Sequence, residues 1–313
     1  MISRLSLAAC LTLALSATAC ARDAQTETAP QDASPTEVAA PAETAPAFEF
    51  SEAAWRDLDP ENTLYLSTNY GPVVIELAPE FAPRHVERIK TLADQNFYDF
   101  LIWHRVIEDF MAQGGGHRSN PNHRTDLPPV PAEFTVRRGG ELQVSELMMR
   151  PVRPRGRDQA PAGFWQGFPA GTRPLAAAAL MGDGRVDSWL LHCTGAAAMA
   201  RTADPNSAGS QFYITLGDAE HLNADYTVWG RVRHGIEAIE SLNVGVLYDD
   251  PEFTPDVIRS IRMENAVPEA ERLRVQVVDT NSAEFSAYLD TLRDADGVLP
   301  DVCDIDVPTR ILN

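Results

Sequence analysis

The stretch WHRVIEDFMAQGG, from Trp103 to Gly115, sets a permanent cation, a Phe-Met pair and a Gln-Gly-Gly close together in one run. On a β-strand side chains alternate between faces, so Arg105 shares a face with Trp103 and Ile107, opposite His104 and Val106. Past the acidic turn Glu108-Asp109, Met111 and Gln113 share a face, opposite Ala112. A charged donor, an apolar pair and an amide can therefore converge on one surface. Taken singly each has a plainer reading: a solvated arginine, two core side chains and a turn. Other chemistries find less support. The seven histidines and four cysteines contain no H-E-x-x-H and no paired C-x-x-C, and His192-Cys193 is a lone neighbour pair, so no metal is expected. Gly114 to Gly116 lack a following Gly-Lys-Ser/Thr and no G-x-S-x-G occurs, which disfavours nucleotide and acyl-transfer sites. No cofactor is expected.

Positioning such a surface needs a real core, and 313 residues with 44% hydrophobic content supply one. The net charge of −19 argues against nucleic-acid or anionic-membrane partners, which call for clustered Lys and Arg. Residues 1–19 read as an export signal, with Arg4, an apolar stretch from Leu5 and small residues at its end. Ala17-Thr18-Ala19 before Cys20 resembles a lipobox, which places a lipid on Cys20; A-x-A cleavage after Ala19 is the alternative. Either ending implies export, to the periplasm or to a membrane-anchored lipoprotein facing it. Residues 20–47, rich in Ala, Pro, Thr and Glu, read as a disordered tether. Cys193 and Cys303 can pair in an oxidising compartment, but two cysteines specify no framework, and the balance falls on the unpaired side.

The folded part begins near Phe48. TLYLSTNYGPVVIEL reads as a hairpin of two half-buried strands, with Leu64, Leu66 and Thr68 alternating before Tyr70-Gly71-Pro72, and Val73, Ile75 and Leu77 after it. Pro83 opens a helix whose buried stripe is Val86, Ile89, Leu92 and Ala93. Later, SQFYITLG places Gln211, Tyr213 and Thr215 on one face and Phe212 and Ile214 on the other, YTVWGRV is a further strand, and GIEAIESLN a short helix. Many short strands with few helices indicate a mainly β barrel or sandwich.

FYDFLIWHRVIEDFMAQGGG, followed by AMARTADPNSAGSQFYITLGDAEHLNADYTVWGRV, resembles the two signature blocks of the cyclophilins, which are peptidyl-prolyl cis-trans isomerases. The resemblance covers roughly residues 62–264. It implies an eight-stranded antiparallel closed barrel capped by two helices, with a substrate groove on the outer face, in a domain over 48–264. The substrates implied are proline-containing polypeptides, and a monomer is expected.

Rotation about an X-Pro bond makes and breaks no covalent bond, but amide resonance sets a barrier of about 18 to 20 kcal/mol. In the twisted amide the nitrogen regains a lone pair, which a guanidinium binds better than it binds the planar form. The family resemblance gives Arg105 that role. It implies that Phe110, Met111, Tyr213 and Leu222 line a pocket for the proline ring, that Gln113 bonds the substrate carbonyl, that Gln211 supports the groove and that the Ala200-Arg201 backbone pairs with the peptide. Three departures stand out. Arg201 replaces the usual Asn in a loop one residue longer, which leaves open the specificity on the N-terminal side of the proline. His221 stands where many eukaryotic members have the tryptophan associated with cyclosporin binding, so drug sensitivity is expected to be weak. Tyr226 replaces a rim histidine. A proline-binding or chaperone module with little turnover is the alternative function.

Between Gln113 and Met199 the chain is far longer than the family uses, and a loop insertion is expected over about 117–194, including the basic run RPVRPRGRD and GFWQGFP. It reads as a solvated elaboration, or more sharply as a device that narrows substrate choice. After Glu264, residues 265–313 read as a strand-helix extension: RLRVQVVD alternates, and Asn281 with Glu284 suggests a capping box before Phe285, Leu289 and Leu292.

Overall fold

Alternating apolar residues build three antiparallel sheets in a computed structural model that describes residues 48–152 and 157–312. The export signal, Cys20 and the tether lie outside the described residues, as do residues 153–156 of the basic run. The main sheet has nine strands, in the order Gly245–Val246, Ile102–Ile107, Met111–Gly116, Phe212–Thr215, Ala196–Met199, Val228–His234, Pro72–Leu77, Thr63–Ser67 and Ser260–Met263. It curls around a core of Leu64, Leu66, Val73, Ile75, Trp103, Phe212, Ile214 and Trp229. Helix α1 (Pro83–Asp94) adds Val86, Ile89, Leu92 and Ala93 to this core, and the short helix α2 (Ile236–Glu240) adds Ala238 and Ile239.

The closed eight-stranded barrel is corrected: the curled sheet is not zipped shut by a strand ladder. Where its two sides approach, contact is confined to one short stretch, in which Ile102 faces Val257 and three backbone bonds run between residues 100–103 and 256–258. Pro251 and Pro255 interrupt the segment leading into Ser260–Met263, and a residue without an N–H cannot extend a ladder.

The insertion is also corrected, since it is a folded layer and not a solvated loop. Its sheet runs Val136–Arg138, Val186–Leu190, Phe168–Thr172, Gln159–Trp165 and Met148–Pro151. GFWQGFP forms its central hairpin. Trp165 pairs with Phe168 across a two-residue turn, and Gln166 (φ 47°) with Gly167 (φ 80°) take the left-handed values that a type I′ turn needs.

A third sheet joins Trp55–Asp57, Arg274–Val278 and Thr309–Leu312. With helix α3 (Ala283–Thr291) it covers the outer face of the first hairpin, burying Tyr65 and Val74 against Val275, Val277 and Phe285. The hairpin strands are therefore buried on both faces, not half-buried as alternation suggested. Ser282, not Asn281, caps α3 by accepting from the Phe285 N–H at 3.0 Å, while Glu284 turns away to Ser51. Cys193 and Cys303 are disulfide-bonded, contrary to the sequence reading, because the fold brings their Cα atoms to 5.0 Å across 110 residues.

Three faces meet at one buried ionic knot. Glu76 accepts from Arg233 Nε and Arg56 Nη1, each at 2.7 Å. Arg233 also donates to the Gly167 carbonyl at 2.9 Å and lies 4.4 Å from the Phe168 ring centroid. Burial pushes the Glu76 carboxyl up, but the two guanidiniums outweigh it and hold the group below its ordinary range.

Candidate functional site

The site is a row across four strands of the main sheet. Register pairs Arg105 with Gln113, Gln113 with Tyr213 and Tyr213 with Ala198, so their side chains share the outer face. Ile107 pairs with Met111 on the same face. One parity assignment fails. The register shifts between Trp103 and Arg105, leaving His104 as an extra residue, so Trp103 points into the core and packs on Gly114. The Gln-Gly-Gly is strand, not turn. A Cβ at Gly114 would stand 3.0 Å from the Trp103 ring, so only glycine keeps that indole flush with the sheet.

Arg105 reaches out from this bulged strand. Its Nη1 lies 3.4 Å from the Met111 sulfur and its guanidinium 5.8 Å from the Phe110 ring centroid. Among the described residues it forms no ion pair, so its donors are lightly engaged. Met111 and Tyr213 are buried in an outer apolar cluster, with Phe110, Leu222 and Tyr226 half-buried at its edge. The exposed His221 ring lies 5.3 Å from Phe110. Gln113 Nε2 donates to Gln211 Oε1 at 3.1 Å, and Gln211 in turn donates to the carbonyls of Pro121 (2.6 Å) and His123 (3.0 Å), tying the row to the loop that opens the insertion.

Ala200 donates its N–H to the Gln211 carbonyl at 2.9 Å, so that donor is already used within the sheet. The Arg201 guanidinium stacks 4.1 Å from the Tyr226 ring centroid and meets Asp225 Oδ2 at 3.1 Å. It forms a braced rim, unlike Arg105. Beside Arg201 lies a cavity of about 220 Å³, lined by Gln113, Arg124, Ala200, Arg201 and Gln211 among others.

The same apolar cluster that holds Met111 and Tyr213 contains Trp165, Phe168, Ala170 and Leu190 of the insertion, so the inserted sheet packs on the outer face beside the groove. Sequence reasoning missed His192. Its Nε2 lies 3.0 Å from the Tyr213 hydroxyl, and its Nδ1 3.2 Å from Asn223 Oδ1. The only signal in the sequence was the position of His192 beside Cys193, and nothing local ties it to Tyr213.

A permanent cation, an apolar cluster and a Gln-Gln pair stand together on the outer face of a curled antiparallel sheet. A family model described as "Cyclophilin type peptidyl-prolyl cis-trans isomerase/CLD" matches residues 63–263, and the chain belongs to this family of isomerases. A probable peptidyl-prolyl cis-trans isomerase of Brucella suis is 29% identical over 198 residues, covering 60% of this chain and 74% of the relative. A peptidyl-prolyl cis-trans isomerase of Acinetobacter baylyi is 28% identical over 182 residues, covering 56% of this chain and 69% of the relative. The crystal structure of cyclophilin AquaCyp293 from Hirschia baltica aligns with a TM-score of 0.70 at 33% identity, covering 84% of this chain and 98% of that one.

Proposed function

We propose that the groove accelerates rotation of X-Pro bonds in exported proteins, with Arg105 stabilising the twisted imide. The observation that carries this reading is the Arg105–Gln113–Tyr213 row, in which a lightly engaged cation stands beside an apolar floor. The proline ring rests on Phe110, Met111, Tyr213 and Leu222. Gln113, oriented by Gln211, donates to the substrate carbonyl, and the Arg201 main chain with the Tyr226 and His221 rim guides the flanking peptide. As the amide twists, the nitrogen lone pair localises and the guanidinium bond strengthens, so the interaction favours the transition state over either planar isomer. A charge-assisted bond of roughly 1.5 to 3 kcal/mol realised there supplies about one to two factors of ten.

Export is supported by the signal-like N-terminus and by the Cys193–Cys303 bond, which persists in oxidising compartments. A lipid on Cys20 and a tether over 20–47 hold the folded body near a membrane in the periplasm. The test is an NMR exchange or protease-coupled assay on an X-Pro tetrapeptide, with wild type and Arg105→Ala. Acceleration by wild type that falls about ten- to hundredfold in the variant supports the mechanism. No acceleration by wild type sinks the catalytic reading in favour of a binding or chaperone module, and an equally active variant removes Arg105 from the mechanism.

A further inference from the structure

His192 is wholly buried at the end of the insertion, behind Tyr213 and out of reach of a visiting peptide. Yet three of its hydrogen bonds go to the segment 219–223 and a fourth to Tyr213. The Ala219 N–H donates to its carbonyl at 2.9 Å, and its own backbone N–H donates to Asn223 Oδ1 at 2.8 Å. That second bond fixes the orientation of the Asn223 amide, so Oδ1 also faces the ring and takes the Nδ1 proton. Nε2 is then left as an acceptor, and the Tyr213 hydroxyl donates to it. Ala219 and Asn223 flank the turn Glu220–Leu222, which carries Leu222 on the pocket wall, while Tyr213 is the pocket floor.

We propose that His192 is a positioning residue that holds the floor and wall of the proline pocket at one fixed spacing. The proposal rests on reading Tyr213 and Leu222 as pocket lining. An apolar floor needs no hydroxyl, and burying one costs stability unless it is bonded; here the bond links the floor to the wall through a single ring. Burial lowers the His192 pKa to about 4, so the ring stays a neutral acceptor at working pH. The next residue, Cys193, is bonded to Cys303, which references the spacing to the C-terminal extension.

The test measures kcat, KM and peptide Kd on an X-Pro tetrapeptide for the full chain, His192→Phe, Tyr213→Phe and the double variant, all well below their melting temperatures. KM and Kd rise about five- to tenfold in His192→Phe and about threefold in Tyr213→Phe, with kcat within about twofold and the double variant no worse than His192→Phe. A purely structural histidine lowers the melting temperature and leaves KM and Kd of the folded protein unchanged, and that result overturns the proposal. If His192→Phe does not fold, unchanged KM and Kd in Tyr213→Phe overturn it instead. A wild type that binds the peptide without turnover fails the catalytic reading alone, and the Kd comparison then decides this one.

Discussion

Two arginines on the outer face of the same sheet show opposite uses of one side chain. Arg233 is buried, bonded to Glu76 and to the Gly167 carbonyl, and stacked on Phe168. Arg105 is half-buried, with a thioether and a distant ring as its neighbours. A guanidinium whose donors are all satisfied fixes architecture, whereas one held by weak contacts keeps its donors for a visiting group. The contrast gives Arg233 a structural place and leaves Arg105 open for the role proposed above, and substitutions can break or sharpen it.

The largest expected effect is at the buried end. Glu76→Ala leaves Arg233 buried without its carboxylate and should lose about 3 to 5 kcal/mol in denaturant unfolding. A loss under about 1 kcal/mol would mean the knot is not structural. Next is the disulfide: Cys303→Ser should cost about 2 to 5 kcal/mol by the same measurement, through the long loop that the bond closes. Arg105→Ala should do the reverse of Glu76→Ala, lowering kcat/KM about ten- to hundredfold while unfolding stability moves by less than about 0.5 kcal/mol. Arg105→Lys should recover only part of the rate, because an ammonium lacks the planar fork.

The smallest effect is a pH dependence, and its sign separates two groups. His192 binds its proton more weakly folded than unfolded, so stability is complete above its ordinary pKa of 6.5 and declines as pH falls toward about 4. Glu76, also depressed on folding, contributes in full above its ordinary 4.5 and its share is lost only on further acidification. Thermal melts between pH 7 and 5 should therefore decline in wild type and flatten in His192→Phe, while Glu76→Gln leaves that slope in place.

Local alternation put Arg105 with Ile107 and Met111 with Gln113, allowed the two strands to converge, and separated Tyr213 from Phe212 and Ile214; the strand register joins them. It failed at Trp103, because one extra residue at His104 resets parity and no residue type announces a bulge. The inserted sheet went unread because its turn is Gln-Gly, not Asn-Gly, and its strands are short and interrupted by proline. Cys193–Cys303, the Arg201–Tyr226 stack and the His192 bonds join residues distant in sequence or lying in irregular segments. Such pairings follow from the tertiary fold, and a one-dimensional pattern does not carry them.

The three-stranded sheet has a consequence for the order of assembly. Trp55 pairs with Val278, and Val277 pairs with Thr309, so the first described strand waits for the last to be synthesised before its sheet is whole. Until then the outer face of the first hairpin lies bare, and Cys193 has no partner. A nascent chain of this isomerase family therefore completes its third sheet only when its last described strand emerges, with an exposed strand edge to be kept from other chains in the interval.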